Sequence, residues 1–178
     1  MEDYVFMRKN NTAEQSALAL GYTKVNFLDT DFILLRSKTK KDVLKEIQLA
    51  RQKKLKTLYK PDSEEMLRFM LEKSDADIIF GLETLHPKDS THFVRAGLDQ
   101  VLCTLAAKNG KTIAFSFHEV LQHPAREQLL ARMRFNLKLC REYHVKTILS
   151  TFAQSLTGMR SAKDLDSFFK TLEKEKLW

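Results

Sequence analysis

Histidines and carboxylates are the side chains of this sequence that are best suited to chemistry. The five histidines are His86, His92, His118, His123 and His144. No two of them stand two or four positions apart, the spacings that place two imidazoles on one metal ion. His86, Asp89 and His92 could hold a metal within one loop, but a surface loop with scattered histidines explains the same residues and is favoured.

His118 and Glu119 follow the apolar block TIAFSF, where they could act as an acid and base pair at a strand end. A strand that turns into a helix also explains them and is favoured. Ser116 lacks the flanking glycines of a nucleophile elbow, and the five glycines lie too far apart for a phosphate-binding loop. Three further acids near strand ends could bind a divalent ion, although nothing orders them into a triad: Asp29, Asp31 and Glu83. Catalysis by this chain alone is therefore not expected.

The basic residues are more informative. The net charge is +7, and ten basic residues against two acids give the segment 36–60 a charge of +8. This one segment therefore accounts for the whole excess. A basic face of this kind indicates a polyanionic partner, most often nucleic acid, whereas a solvated helix surface is the alternative.

Alternating strands and helices must position these charges. The predicted strands cover residues 4–7, 24–28, 32–36, 56–59, 77–82, 112–117 and 146–151. The predicted helices cover 12–20, 39–54, 98–108 and 124–143, with further helices starting at 62 and 161. This order predicts parallel β-α-β units in one α/β domain. An open doubly wound sheet and a (β/α) barrel both fit, but 178 residues suit only a trimmed barrel, since a full one takes about 250.

Basic residues cluster at the predicted strand ends. They are Arg8, Arg36, Lys60, Arg95, His118 and Arg160, with Lys38, Lys40 and Lys41 beside Arg36. Arginine suits bidentate contact with phosphate, and lysine acts as a point charge. The phenylalanines at 115, 117, 168 and 169 fit the core better than a base-stacking platform. The pattern favours recognition of the shape and backbone of structured RNA over stacking of single strands.

Cys103 and Cys140 fall in the apolar stripes of predicted helices, so we expect two buried free thiols. No apolar run reaches the roughly 18 residues that span a membrane, and the start MEDYVFMRKN lacks the pattern of a signal peptide. We therefore expect a soluble, cytoplasmic protein.

Several short motifs resemble those of one family. They are RAGLDQVLC at 95–103, FSF at 115–117, RMRFN at 132–136, TILST at 147–151, Met159-Arg160 and Asp164-Leu165. In this order and at this spacing they resemble the ribonuclease P protein component 3 family, over about residues 81–169.

The resemblance implies a TIM-like (β/α) barrel, trimmed or irregular and related to the PHP phosphoesterases, formed by one domain over 1–178. It implies a protein subunit of an archaeal-type ribonuclease P, in which a catalytic RNA removes the 5′ leader from precursor tRNA. The RNA would hold the Mg²⁺, and the protein would carry no cofactor, metal or catalytic residue. Its partners would be the ribonuclease P RNA, precursor tRNA, the component 2 protein subunit and other ribonuclease P proteins.

The residues expected to contact RNA combine basic strand-end positions with the family motifs. They are Arg36, Lys38, Lys40, Lys60, Arg95, His118, Arg132, Arg134, Arg160 and Lys163. The first strand of the family often carries an acid, which the predicted strand 4–7 lacks. A small PHP-like metal-dependent phosphoesterase is the alternative function, and the missing histidine pair near the first strand argues against it. A protein-interaction scaffold without RNA binding is a third.

Overall fold

The computed structural model describes residues 1–174, along which strands alternate with helices. The strands are β1 (Glu2–Val5), β2 (Lys24–Phe27), β3 (Phe32–Leu35), β4 (Lys56–Tyr59), β5 (Ile78–Phe80), β6 (Thr112–Ser116) and β7 (Lys146–Ser150). The helices are α1 (Asn11–Ala19), α2 (Lys40–Gln52), α3 (Glu64–Lys73), α4 (Gln100–Lys108), α5 (Phe117–Gln122), α6 (Arg126–Glu142) and α7 (Ala162–Lys174). Short 3-10 helices cover Leu82–Thr84 and Leu156–Gly158. None of the helices within residues 1–174 is long and apolar enough to cross a membrane.

The strands pair in parallel, as their alternation with helices predicts. β1 pairs with β2, and β3 to β7 form a five-stranded sheet in chain order. Backbone contacts also join the two sheets at both sides. On one side Phe152 N donates to Tyr4 O at 3.0 Å. On the other, Leu28 forms a parallel bridge with Phe32. The predicted parallel α/β fold is confirmed.

Asp3 fastens β1 to the end of β7. Because β1 starts at Glu2, two residues before the predicted strand 4–7, the first strand does carry an acid, and the contrary expectation is wrong. Asp3 Oδ1 accepts hydrogen bonds from Ser150 Oγ (2.6 Å) and Thr151 N (2.7 Å), and Oδ2 accepts one from Thr151 Oγ1 (2.6 Å). Burial raises the pKa of the Asp3 carboxyl, although these donors oppose the rise.

Both faces of the main sheet are buried, as is usual for parallel strands. Side chains on one face meet in an inner apolar cluster: Tyr4, Phe32, Leu58, Ile78, Phe80, Ala114 and Phe152. Side chains on the other face pack against helices in an outer core, among them Leu35, Tyr59, Ile79 and Leu149. Cys103 and Cys140 are fully buried in the outer core and are free thiols, as predicted.

The turn after β6 differs from its prediction. The apolar alternation predicts a strand to residue 117, but Ser116 ends β6 and accepts a hydrogen bond from Glu119 N at 3.2 Å. Ser116 thereby caps the short helix α5, into which the strand turns at His118 and Glu119. This turn places His118 at the carboxyl end of the sheet. The long helix α6 starts at Arg126 rather than at the predicted Pro124.

Candidate nucleic-acid interface

An open cavity of about 650 Å³ lies at the carboxyl ends of the strands, where α/β folds place ligand sites. This strand-end cavity is lined by Phe6, Leu28, Leu34, Leu35, Arg36, Ser37, Lys38, Tyr59, Lys60, Asp62, Phe80, Ser116, His118, Glu119 and Gln154. Four of the residues predicted to contact RNA are therefore brought together here: Arg36, Lys38, Lys60 and His118.

Lys60 follows β4 and reaches across the rim of the cavity to α5. Its Nζ lies 2.7 Å from Oε1 of Glu119, which stands in the first turn of that helix. The stem of Lys60 passes close to Gly81, where a Cβ atom would lie 2.8 Å from Lys60 Cε. Gly81 also has a φ of +73°, which residues with a side chain rarely adopt. Glycine at this position thus permits both the backbone conformation and the close approach of the Lys60 stem.

The loop after β3 presents two cations that are open to a ligand. Glu46 of α2 holds this loop, since its carboxylate accepts hydrogen bonds from Arg36 N (3.0 Å) and Ser37 Oγ (2.7 Å). The exposed guanidinium of Arg36 has no hydrogen-bond or ion-pair partner among residues 1–174. Lys38 is 83% exposed and approaches Asp62 only to 4.0 Å.

His118 and Glu119 do not form an isolated acid and base pair. His118 N donates to Thr151 O at 3.0 Å, which fixes the start of α5 against the end of β7. The Glu119 carboxylate is engaged by Lys60. The favoured explanation of the two residues, a strand that turns into a helix, is confirmed because α5 starts at Phe117.

One face of α6 holds the loop between β5 and α4. Gln128 and Arg132, four residues apart on this face, both donate to Asp89, with Gln128 Nε2 at 2.7 Å and Arg132 Nε at 2.9 Å. Arg132 Nη1 donates to the carbonyl groups of Glu83 and His86, both at 2.7 Å. Arg132 is only 3% exposed and its guanidinium is engaged by protein groups, and its contact with RNA stays a prediction. The spacing of four residues between Gln128 and Arg132 on α6 is the sequence signal that could have identified these contacts to Asp89.

Asn136 extends the same face by one turn. Its Nδ2 donates to Ala96 O at 2.7 Å and to Glu83 Oε1 at 3.2 Å. Gly97 follows with a φ of +91°, and a Cβ atom there would lie 2.5 Å from Leu82 O. The backbone of the RAGLD motif therefore packs directly on the chain that leaves β5, and only glycine fits.

Glu83 is buried at the centre of this arrangement, with 2% exposure. Burial raises the pKa of the Glu83 carboxyl to about 7, although its own backbone amide and Asn136 oppose the rise. Glu119 adds to the rise and Lys60 opposes it. The charge of the Glu83 carboxyl therefore changes near neutral pH, and it responds to the ion pair at the rim of the strand-end cavity.

Comparison with known proteins identifies related chains, although no family model matches this one. Ribonuclease P protein component 3 of Methanosarcina barkeri is 36% identical over 101 residues, which cover 56% of this chain and 39% of that protein. The Methanocaldococcus jannaschii protein of the same name is 33% identical over 107 residues, or 59% and 43% of the two chains. The chain is similar to archaeal ribonuclease P protein component 3. The resemblance predicted from the motifs is thereby confirmed.

A solved structure is similar to this chain over more than the segment that is similar in sequence to component 3. One chain in a cryo-EM structure of archaeal ribonuclease P with mature tRNA is 26% identical to this chain, with a TM-score of 0.72. The match covers 97% of this chain and 72% of that one. The segments matched to the two component 3 proteins span less than half of those proteins' length.

Two of the predicted RNA contacts, Lys40 and Arg95, lie outside the strand-end cavity and are engaged by carboxylates. Lys40 pairs with Glu65 and lies 5.6 Å from the centre of the Phe69 ring. Arg95 Nη2 lies 3.1 Å from Glu64 Oε1, at the start of α3. Both side chains remain partly exposed.

Three further residues predicted to contact RNA, Arg134, Arg160 and Lys163, lie elsewhere in the structure. Arg160 Nη1 donates to Thr157 O (2.9 Å) and Met159 O (2.8 Å), so this arginine holds its own turn. Arg134 is half-buried on α6, and Lys163 is exposed on α7. The structure does not bring these residues to the strand-end cavity, and their contact with RNA stays a prediction.

Several of the acids and histidines considered for a metal are engaged by protein groups. His86 Nε2 lies 3.2 Å from Glu64 Oε1, and the Asp89 carboxylate is held by the α6 donors. Asp31 Oδ2 accepts a hydrogen bond from Phe27 N at 2.9 Å. Within residues 1–174, no group of three or more His, Cys, Asp and Glu side chains is placed to hold a metal ion.

Proposed function

We propose that this chain is a protein subunit of an archaeal-type ribonuclease P. It assists the catalytic RNA in removing the 5′ leader from precursor tRNA and contributes no catalytic residue of its own. The likeness to a chain of archaeal ribonuclease P with mature tRNA carries the proposal, because it extends over almost the whole of this chain. Sequence similarity to component 3 proteins supports the same role.

The proposal includes a fold in which the seven strands close into a trimmed barrel. The Asp3 network and the bond from Phe152 N to Tyr4 O support closure between β7 and β1. The bridge from Leu28 to Phe32 supports closure between β2 and β3. The inner apolar cluster also draws side chains from β1 and from β3 to β6, as the interior of a small barrel does.

In this role the chain binds structured RNA through the basic residues around the strand-end cavity. Exposed Arg36 and Lys38 support this interface, as does Lys60, whose ammonium group is positioned by Glu119. The Mg²⁺ of the reaction belongs to the RNA, and the chain itself carries no cofactor. Its protein partners are the component 2 subunit and other ribonuclease P proteins.

A reconstitution assay tests the subunit role. Cleavage of precursor tRNA by ribonuclease P RNA is measured at low Mg²⁺ with the component 2 subunit, in the presence and absence of this chain. We expect cleavage to require the chain, and the chain without RNA to be inactive. If the chain changes nothing, and with a divalent metal hydrolyses a model phosphoester by itself, the phosphoesterase alternative replaces the proposal.

Salt dependence tests the interface itself. Arg36→Gln should weaken binding to ribonuclease P RNA and lower the slope of log affinity against log salt by about one unit, because one phosphate contact is lost. Lys53→Gln is the matched control, since it removes an exposed positive charge at the far end of α2. Equal slopes for the two variants would contradict RNA binding at the strand-end cavity.

A further inference from the structure

The strand-end cavity has an aromatic, apolar floor beneath its charged rim. The lining residues Phe6, Leu28, Leu34 and Phe80 all belong to the inner apolar cluster or pack against it. The Phe6 ring is stacked on Phe152, with a centroid distance of 5.1 Å and an interplanar angle of 16°. Phe80 lies 5.8 Å from Phe6 and 5.0 Å from Phe152, so three rings support one another. Phe6 remains partly exposed, which leaves a preformed apolar surface at the base of the cavity.

The rim above this floor has three cations and two carboxylates. Lys60 is paired with Glu119 at 2.7 Å, and Lys38 faces Asp62 at 4.0 Å. Arg36 is the cation of the rim that has no partner among residues 1–174. Its guanidinium can donate two parallel hydrogen bonds to one phosphate group.

An apolar aromatic floor with a phosphate-binding group at its edge matches the two halves of a nucleotide. Stacking of a base on an aromatic ring contributes about 1–3 kcal/mol and does not depend on the base. The cavity volume of about 650 Å³ falls within the range of small-molecule sites. A base-paired helix presents no free base face and would leave such a floor uncovered.

We propose that the strand-end cavity binds one unstacked nucleotide of a single-stranded RNA segment, with its base against Phe6 and its phosphate at Arg36. The assignment rests on the proposed function, because that function supplies the RNA. It also departs from the expectation of backbone recognition alone. The reason is that Phe6, two residues after Tyr4, packs against the same inner apolar cluster and lines the cavity.

Titration of the full chain, followed by NMR, tests the assignment with AMP, ribose 5-phosphate, the single-stranded trinucleotide AAA and a short RNA duplex. The trinucleotide should bind most tightly, because its neighbouring phosphates reach other cations of the rim. Ribose 5-phosphate should bind about tenfold more weakly than AMP, because it has no base to stack. Equal affinities for these two would reveal a simple anion site and overturn the assignment. Binding of AMP or of the duplex as tight as that of the trinucleotide would also overturn it.

Substitutions separate the two halves of the site. Phe6→Leu keeps an apolar side chain but removes the ring, and should weaken trinucleotide binding about tenfold, whereas Phe6→Tyr should keep it. Arg36→Gln should weaken binding and lower the salt slope by about one unit, while Lys53→Gln should leave both unchanged. A thermal melt checks the fold of each variant. If Phe6→Leu does not fold, the Arg36 and Lys53 variants still decide, and equal affinity in these two overturns the assignment.

The cleavage assay distinguishes failure of this assignment from failure of the subunit role. If cleavage requires the chain but the trinucleotide does not shift resonances of the cavity, the nucleotide assignment is overturned and the subunit role stands. If the trinucleotide binds and Phe6→Leu weakens it while cleavage is independent of the chain, the subunit role fails and the cavity remains a nucleotide site.

Discussion

The buried Glu83 carboxyl makes the stability of this fold depend on pH in a direction opposite to that of most acids. Its side chain is almost fully buried, and burial raises its pKa from 4.5 to about 7. The folded chain therefore holds this proton more tightly than the unfolded chain does. The resulting stabilisation is complete below about pH 4.5 and is lost as the pH rises to about 7.

The size of the effect follows from the two pKa values. Each pH unit between them changes the free energy of unfolding by about 1.4 kcal/mol. Multiplied by the difference between 4.5 and about 7, this gives about 3 kcal/mol. The Glu83→Gln variant is neutral at every pH and keeps an oxygen that can accept the hydrogen bond from Asn136. It should therefore lose this pH dependence without losing the contact.

Urea denaturation of the wild-type chain and of Glu83→Gln, between about pH 4.5 and about pH 8, measures the effect. We expect the free energy of unfolding of the wild type, minus that of the variant, to fall by about 3 kcal/mol over this range. Other titrating groups cancel in the difference. Glu127→Gln, on the exposed side of the first turn of α6, controls for the removal of a carboxyl. A difference for Glu83→Gln that is constant with pH, or that rises, would refute the reasoning.

Three further outcomes follow from local geometry. Gly97→Ala should destabilise the fold by about 3 kcal/mol in thermal or urea denaturation, because the new Cβ atom would clash with Leu82 O. Gly110→Ala is the control, since a Cβ atom there meets open space, and it should cost about 1 kcal/mol. Equal losses of stability in the two variants would contradict this prediction. Arg132→Met should cost about 3 kcal/mol in urea denaturation because buried acceptors lose their donor, and a loss under about 1 kcal/mol would contradict this role of Arg132. Cys103 and Cys140 should react with a thiol reagent only after unfolding, because both are fully buried. The hydrogen bond between the two thiols and their burial also raise the pKa of the Cys140 thiol. Fast labelling of the native chain would contradict this prediction.

Signals that lie within a few residues of an element explain why much of the fold is predictable from sequence. α4 is one example. Asp99 accepts a hydrogen bond from Leu102 N at 2.7 Å and caps the start, and Gly110 ends the helix with a φ of +62°. Cys103 and Ala106 form its buried stripe. Cap, stripe and stop can all be read locally, and the predicted helix 98–108 differs from the observed one by only two residues at its start.

Partners that are distant along the chain explain what the sequence did not reveal. Arg132 is predicted to contact RNA as part of the RMRFN motif, whereas its acceptors, the Glu83 and His86 carbonyl groups, are 49 and 46 positions away along the chain. Phe6 stands in an apolar run that predicts a strand, and only the pairing of β1 with β2 and its link to β7 place the ring in the cavity. At neither position does the neighbouring sequence distinguish the observed placement of the side chain from the predicted one.

The RAGLD motif carries much of the family resemblance, and its contacts are mostly those of a scaffold. Ala96 O accepts from α6, Gly97 lies against the backbone that leaves β5, and Asp99 caps α4. The cations Arg36 and Lys60 of the strand-end cavity lie outside the region of resemblance, which covers about residues 81–169. Within residues 1–174, neither Arg36 nor Lys60 forms a hydrogen bond or ion pair through its side chain with the RAGLD motif, so the cations proposed to meet RNA can change while the scaffold is kept. Variants at the cavity therefore test the proposed role more directly than variants of the motif.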